Sequence, residues 1–196
     1  MRFTTLFFII VSLGVTGVAD DMLSVSGDMR MTYVDYNYDN GFFPNSNAAV
    51  ISGKLSAKTQ KYNGLYAKAS FTTVQGINHD KNKQGMSYIF SETWAGVNDS
   101  FSLLEESYIG YENDLLHLKL GRQEINTPYI DADDYFVTPN SFEALTLQVR
   151  PSSQVVLDAG HVTKMSGTWD ASYDGSDFHS MSRQAWIHYS DGTKDT

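Results

Sequence analysis

The sequence predicts an all-β fold, an antiparallel transmembrane β-barrel of which about eight strands are present. Three observations predict it. Beyond residue 19, polar and apolar residues alternate with a period of two, in segments close to the roughly 9–11 residues that a tilted membrane strand needs. The connections between these segments alternate in length. The composition, with 15 Gly, 4 Pro and 13% aromatic residues, favours β-structure over helices or disorder.

Residues 1–19 are predicted to be a cleaved secretory signal peptide. Arg2 precedes an apolar run from Leu6 to Val15, and the small residues Gly17 and Ala19 come just before Asp20. The run is shorter than the roughly 20 apolar residues that a membrane-spanning helix needs, so an uncleaved anchor is the weaker alternative. We therefore expect an exported protein in which residues 20–196 form the barrel portion.

The first three strands are predicted at residues 23–36, 49–61 and 65–74. In each of them one face is apolar, and the other carries serines, threonines and long basic side chains. The sequence Tyr62-Asn63-Gly64 predicts a tight hairpin turn between the second and third strands, because Asn-Gly tolerates the positive φ angles of a type I′ turn.

Five further strands are predicted at residues 101–111, 115–123, 142–150, 155–164 and 181–190. The connections after the first, third, fifth and seventh strands are long, and those after the second, fourth and sixth are short. Bacterial outer-membrane barrels have this layout, with short periplasmic turns and long external loops. A soluble antiparallel sandwich could produce a similar alternation, with the polar face as its solvated surface.

Composition and motifs exclude several classes of protein. The chain has no cysteine, which excludes disulfide scaffolds, Cys-based zinc sites, iron–sulfur clusters and thiol nucleophiles. A formal charge of −9 argues against binding of nucleic acid. The five histidines are scattered without zinc-ligand spacing, and there is no nucleophile-elbow or phosphate-loop motif. We therefore predict no enzyme activity, no catalytic residues, no metal and no cofactor.

Four motifs follow one another between residues 105 and 147. They are Glu106-Ser107-Tyr108-Ile109-Gly110-Tyr111, Leu118-Lys119-Leu120-Gly121-Arg122-Gln123, Asn126-Thr127-Pro128 and Pro139-Asn140-Ser141-Phe142-Glu143-Ala144-Leu145. This stretch resembles the OprD-type outer-membrane porins, in the version found in Campylobacter-like bacteria.

The resemblance implies a water-filled barrel of about 16–18 strands for passive diffusion of small polar solutes such as amino acids, peptides, small carboxylates or ions. It also implies that the third external loop, here Glu124–Ser141, folds inward and narrows the channel. Basic side chains would line one wall, and the candidates are Arg30, Lys54, Lys58, Lys68, Lys119 and Arg122. Arg122 has the strand parity of outward-facing Leu120, so an inward position would need a bulge or the end of the strand.

The acidic side of the constriction would come from loop residues Glu124, Asp131, Asp133 and Asp134. Carboxylates in a narrow aperture concentrate cations and repel anions. The plainer interpretation of these residues is a solvated acidic loop, because carboxylates are ordinarily exposed.

The chain is shorter than such a porin, so we expect it to be the N-terminal part of a larger barrel. A small closed eight-stranded structural or adhesive membrane protein and a secreted carbohydrate-binding sandwich remain alternatives. The expected location is the bacterial outer membrane. The expected partners are outer-membrane lipid, lipopolysaccharide and small polar solutes, with assembly into a homotrimer left open.

Overall fold

The computed structural model describes residues 11–20, 22–36, 46–79, 101–132, 138–167 and 178–180. Nine strands within these residues form one antiparallel sheet whose strands follow the order of the chain. They are β1 Val11–Asp20, β2 Leu23–Tyr36, β3 Ser46–Thr59, β4 Leu65–His79, β5 Phe101–Glu112, β6 Leu116–Gln123, β7 Ser141–Ser152, β8 Val155–Ser166 and β9 His179–Ser180. None of the described residues belongs to a helix long and apolar enough to cross a membrane.

The predicted all-β antiparallel fold is confirmed, and so are the seven predicted strands between residues 23 and 164, which are β2 to β8. The predicted eighth strand, residues 181–190, lies outside the described residues. The two-residue strand β9 comes just before it and pairs with Met165 and Lys164 of β8.

Strand β1 lies almost entirely within the predicted signal peptide. It pairs with β2 from Val11↔Met31 to Asp20↔Leu23. If the chain is cleaved after Ala19 as predicted, β2 becomes the first strand of the mature sheet.

Strand β4 extends to His79, beyond the predicted end at Val74. Residues 75–79 are mostly polar and show no alternation, so the alternating pattern predicted an end of the strand five residues before its actual end. Pairing with the first residues of β3 keeps this segment extended, and a bulge between Ala49 and Val50 takes up the change in register.

The connections between β2 and β8 have the predicted lengths. The hairpin between β3 and β4 turns at Asn63 and Gly64, whose φ angles of 50° and 85° are those of the predicted type I′ turn. Long connections follow β2, β4, β6 and β8, while short ones follow β3, β5 and β7. In an antiparallel sheet this places all the short connections at one end and all the long ones at the other.

The two faces of the sheet have opposite chemistry and opposite exposure. The polar face carries side chains such as Ser52, Lys54, Ser70, Thr72 and Tyr66, and it is largely covered. The apolar face carries Leu55, Ile109 and Leu120, whose side chains are 61%, 64% and 62% exposed. A soluble one-layer sheet buries its apolar face and exposes its polar face, so this sheet is inverted.

Candidate functional site

A cluster of acidic and basic side chains lies on the polar face at the centre of β3, β4 and β5. Lys54 Nζ on β3 donates to Glu105 Oε1 on β5 at 2.5 Å and lies 3.8 Å from Glu106 Oε2. It also donates to Oε1 of Glu124, which follows β6, at 2.6 Å. Lys68 on β4 pairs with Glu106. Lys54 therefore lies among three carboxylates, and one of them belongs to the segment after β6.

Hydroxyl groups on β4 support the two carboxylates of β5. Ser70 Oγ donates to Glu106 Oε2 at 2.8 Å, and Thr72 Oγ1 donates to Glu105. The side chain of Glu105 is fully buried and that of Glu106 nearly so. Buried carboxylates are costly unless they are paired and hydrogen-bonded, and both conditions are met here.

A β-bulge brings Glu105 and Glu106 to the same face. Strict alternation along β5 predicts that adjacent glutamates point to opposite faces, and this expectation is wrong. Ser70 pairs with Glu106 and Phe71 with Leu104, so Glu105 is the extra residue of the bulge. The alternating pattern does not encode this insertion, and we know of no signal in this sequence that would have revealed it.

A second group, richer in aromatic rings, lies on the polar face toward the short connections. The ammonium of Lys58 is 4.8 Å from the centroid of the Tyr66 ring, and that of Lys119 is 5.2 Å from the centroid of the Tyr108 ring. The two tyrosine rings meet edge to face at 6.1 Å. Among the described residues neither Lys58 nor Lys119 forms a direct ion pair with a carboxylate, and each ammonium lies over a tyrosine ring instead.

Glycine at position 110 allows Tyr66 to lie flat on β5. A Cβ atom at this position would lie 2.3 Å from Cζ of the Tyr66 ring. With the ring in place, the Tyr66 hydroxyl forms a 2.8 Å hydrogen bond with His117 Nε2 on β6. This contact places the His117 side chain on the polar face of the sheet.

The segment after β6, residues 124–132, turns back over the polar face. Ile125 is buried against Phe142 and Ala144 of β7 and Met165 of β8, and Ile130 packs on the edge of the same cluster. This apolar contact covers the polar face of β7 and β8 and holds the segment on that side.

Side-chain hydrogen bonds shape the same segment into two turns. Thr127 Oγ1 accepts from the backbone N–H of Ile130 at 3.0 Å, and Asn126 Oδ1 accepts from that of Ala132 at 2.9 Å. Thr and Asn are residues whose side chains commonly close such turns. The backbone N–H of Asn140 then donates to the carbonyl of Ala132, which ties the two described ends of the loop together.

A pocket of about 520 Å³ lies between this segment and the polar face of β6, β7 and β8. Its polar and charged lining includes Lys119, Gln148 and Asp158 of the strands. Its apolar lining includes Ile125 and Ile130 of the segment and Val162 of β8. It is a cavity into which a small solute with both polar and apolar parts could fit.

The predicted basic residues separate into two groups. Arg30, Lys54, Lys58, Lys68 and Lys119 all belong to the polar face, and Arg30 pairs with Asp28 at 3.1 Å. Arg122 is placed elsewhere. It pairs with Glu143 of β7 at 3.0 Å and stacks 4.1 Å from the centroid of the Phe178 ring, on the face of Leu120. Strand β6 has no bulge at this point, so Arg122 keeps the parity of Leu120 and does not line the polar face.

The predicted acidic residues are brought together only in part. Glu124 joins the cluster around Lys54, whereas Asp131 is exposed at the far end of the segment. Asp133 and Asp134 lie outside the described residues. The carboxylates that face Lys54 from the wall, Glu105 and Glu106, were not among the predicted site residues.

The described part of the chain contains no group of three or more metal-binding side chains that could hold an ion. Comparison with known proteins gives no match, whether against protein-family models, curated sequences or solved structures. The geometry of the polar face is therefore the basis for a functional proposal.

Proposed function

We propose that this chain is the N-terminal part of an outer-membrane porin, whose sheet closes with further strands into a water-filled barrel. In this proposal residues 1–19 direct export, the apolar face meets outer-membrane lipid, and the polar face lines the lumen. The work of the protein is passive diffusion of small polar solutes and ions.

The observation that carries the proposal is the inverted polarity of the sheet. Leucine and isoleucine side chains more than half exposed, together with Phe71 at 50%, cover the face that a soluble sandwich would bury. Acidic and basic side chains that include Lys54, Glu105 and Glu106 lie on the opposite face. A membrane barrel requires this arrangement, because its outer surface contacts hydrocarbon while its interior is wet and polar.

The alternation of connection lengths supports the same proposal. All the short connections among β2 to β8 lie at one end of the sheet, as in outer-membrane barrels, where that end is periplasmic. The resemblance of residues 105–147 to OprD-type porins agrees with this orientation, and it would make residues 124–132 part of the constriction loop.

In this proposal Lys58 and Lys119 are positive charges on the lumen wall that form no direct ion pair with a described carboxylate. Fixed charges in a narrow, water-filled passage attract counter-ions and set which ions pass. Lys54 and Lys68 contribute less to this field, because each is paired with carboxylates.

Conductance measurements on the full-length protein in planar lipid bilayers test the proposal. We expect stepwise increases in current, and the conductance of each step should be proportional to the conductivity of the bathing solution. With Lys58 and Lys119 both replaced by methionine, the permeability ratio of K⁺ to Cl⁻, taken from the reversal potential in a salt gradient, should rise by roughly twofold or more.

The matched control is Lys164→Met, because Lys164 pairs with Glu143 on the face of Arg122 and Leu120. It should leave the reversal potential unchanged. The absence of any conductance would refute the channel, and an unchanged selectivity in the double variant would refute the assignment of the polar face to the lumen.

A further inference from the structure

We propose that Lys54 is a positioning residue that anchors residues 124–132 to the wall at β3 and thereby fixes the width of the channel. The proposal rests on the porin function above and deepens it. The resemblance implies lysines that line the channel and attract the solute. We propose instead that Lys54 binds Glu124 of the protein itself and so holds the segment 124–132 in place.

The contact between Lys54 and Glu124 crosses the polar face. Glu124 follows the last residue of β6, and Lys54 lies on β3, so strands β4 and β5 separate them in the sheet. The 2.6 Å hydrogen bond between Lys54 Nζ and Glu124 Oε1 therefore bridges two intervening strands above the surface of the sheet.

The wall side of this bridge is rigidly built. Glu105 Oε1 accepts from Lys54 Nζ at 2.5 Å, and Thr72 and Ser70 hold the two carboxylates of β5 from the neighbouring strand. Charge-assisted hydrogen bonds of this kind are stronger than neutral ones, and low exposure of Lys54, at 20%, reduces screening. The Lys54 ammonium is therefore fixed by Glu105 in a position from which it also donates to Glu124.

The other side of the segment is fixed by apolar packing. Ile125 is buried in the cluster formed with Phe142, Ala144 and Met165, one residue after Glu124. The segment is therefore clamped at adjacent residues in two directions, toward β3 by charge and toward β7 and β8 by apolar contact. Removal of the charged clamp should free the segment without removing its apolar contact.

Zero-length carbodiimide cross-linking of the full-length protein in detergent micelles tests the contact. We expect an amide between Lys54 and Glu124, identified by mass spectrometry, and its loss in Glu124→Gln. Cross-linking does not require an open channel. A failure of the Lys54–Glu124 contact can therefore be distinguished from a failure of the porin function, which the conductance experiment tests.

Hydrogen exchange and single-channel recording test the consequence. In Glu124→Gln, amide exchange across residues 124–132 should accelerate by roughly tenfold, as expected when a hydrogen bond to a charged group is lost. Single-channel current should become larger and noisier. Lys54→Met should do the same, while Lys54→Arg should largely preserve slow exchange because it keeps the positive charge.

Lys58→Met is the matched control, because Lys58 lies on the same face of β3 and contacts the Tyr66 ring rather than Glu124. It should leave exchange in residues 124–132 unchanged. The proposal is overturned if no link forms between Lys54 and Glu124, or if exchange and current noise in Glu124→Gln match those of the parent. Since Glu124 lies on the loop side of the contact, its variant leaves Lys54 paired with Glu105 and tests the anchor even if Lys54→Met fails to fold.

Discussion

Tyr66 of β4 contacts β5 and β6, and its position requires that residue 110 has no Cβ atom. Its ring lies over Gly110 of β5, and its hydroxyl reaches His117 of β6. We predict that Gly110→Ala displaces the ring, breaks this hydrogen bond and lowers the free energy of unfolding by about 1–3 kcal/mol, the usual cost of overpacking. Urea unfolding in lipid vesicles measures the change.

Gly53→Ala serves as the control for this substitution. A Cβ at position 53 would meet nothing closer than Thr73 Cγ2 at 3.9 Å, an ordinary contact. If Gly110→Ala is no less stable than Gly53→Ala, the close packing of Tyr66 against β5 is wrong.

Single residues show where the sequence pattern succeeds and where it fails. Period-two alternation correctly placed Lys54, Lys58, Lys68 and Lys119 on one face, because side-chain direction in a regular strand follows position alone. It failed at Glu105, because a bulge inserts one residue and changes the parity after it. The most highly charged part of the site lies at that irregularity.

The segment of residues 124–132 is an element without regular secondary structure, and its apolar clamp can be tested separately from its charged one. We predict that Ile125→Ala costs about 2–4 kcal/mol of local stability, since it opens a cavity between Phe142 and Met165. Amides of residues 124–132 should then exchange faster, as measured by hydrogen-exchange mass spectrometry.

Ile77→Ala provides the comparison, because Ile77 is 55% exposed on β4 and contributes little buried area. It should leave exchange in residues 124–132 at the parent rate. Unchanged exchange in Ile125→Ala would mean that the apolar cluster does not hold the segment.

Elements were predicted best where both faces of a strand carry a clear pattern. Strand β2 begins and ends at its predicted residues, and its apolar and polar side chains alternate from Leu23 to Tyr33. The end of β4 was missed, since its last residues are held by pairing with β3 rather than by their own pattern. The path of residues 124–132 depends on contacts with β3, β7 and β8, which no local pattern contains.

At the scale of the molecule, the inverted sheet predicts how substitutions on its two faces differ. Leu120 is 62% exposed on the apolar face, and Lys119 lies next to it on the polar face. We predict that Leu120→Arg destabilises the protein in lipid vesicles by about 2–4 kcal/mol, the cost of an arginine on the lipid face of a barrel near the midplane.

The same arginine placed one residue earlier, as Lys119→Arg, should change the free energy of unfolding by less than about 0.5 kcal/mol, because it keeps a positive charge on the polar face. Denaturant titration of both variants in the same vesicles makes the comparison. Equal stability of the two variants would contradict the assignment of the faces.

The sequence predicted the antiparallel pairing within β3–β4, β5–β6 and β7–β8, because the short connections there force neighbouring strands to pair. Closure into a barrel is a different matter, since it depends on strand number and on the stagger accumulated over the whole sheet. Closure is therefore part of the proposal, and the chemistry of the two faces is its strongest support.

The most direct test of the central claim is nitroxide accessibility in lipid vesicles. Single labels at positions 55, 109 and 120 report on the apolar face, and labels at positions 26, 58 and 146 report on the polar face. The account predicts that the first three collide with membrane-dissolved oxygen and are shielded from a water-soluble nickel chelate, while the other three show the reverse. Comparable access of the nickel chelate to both sets would contradict it.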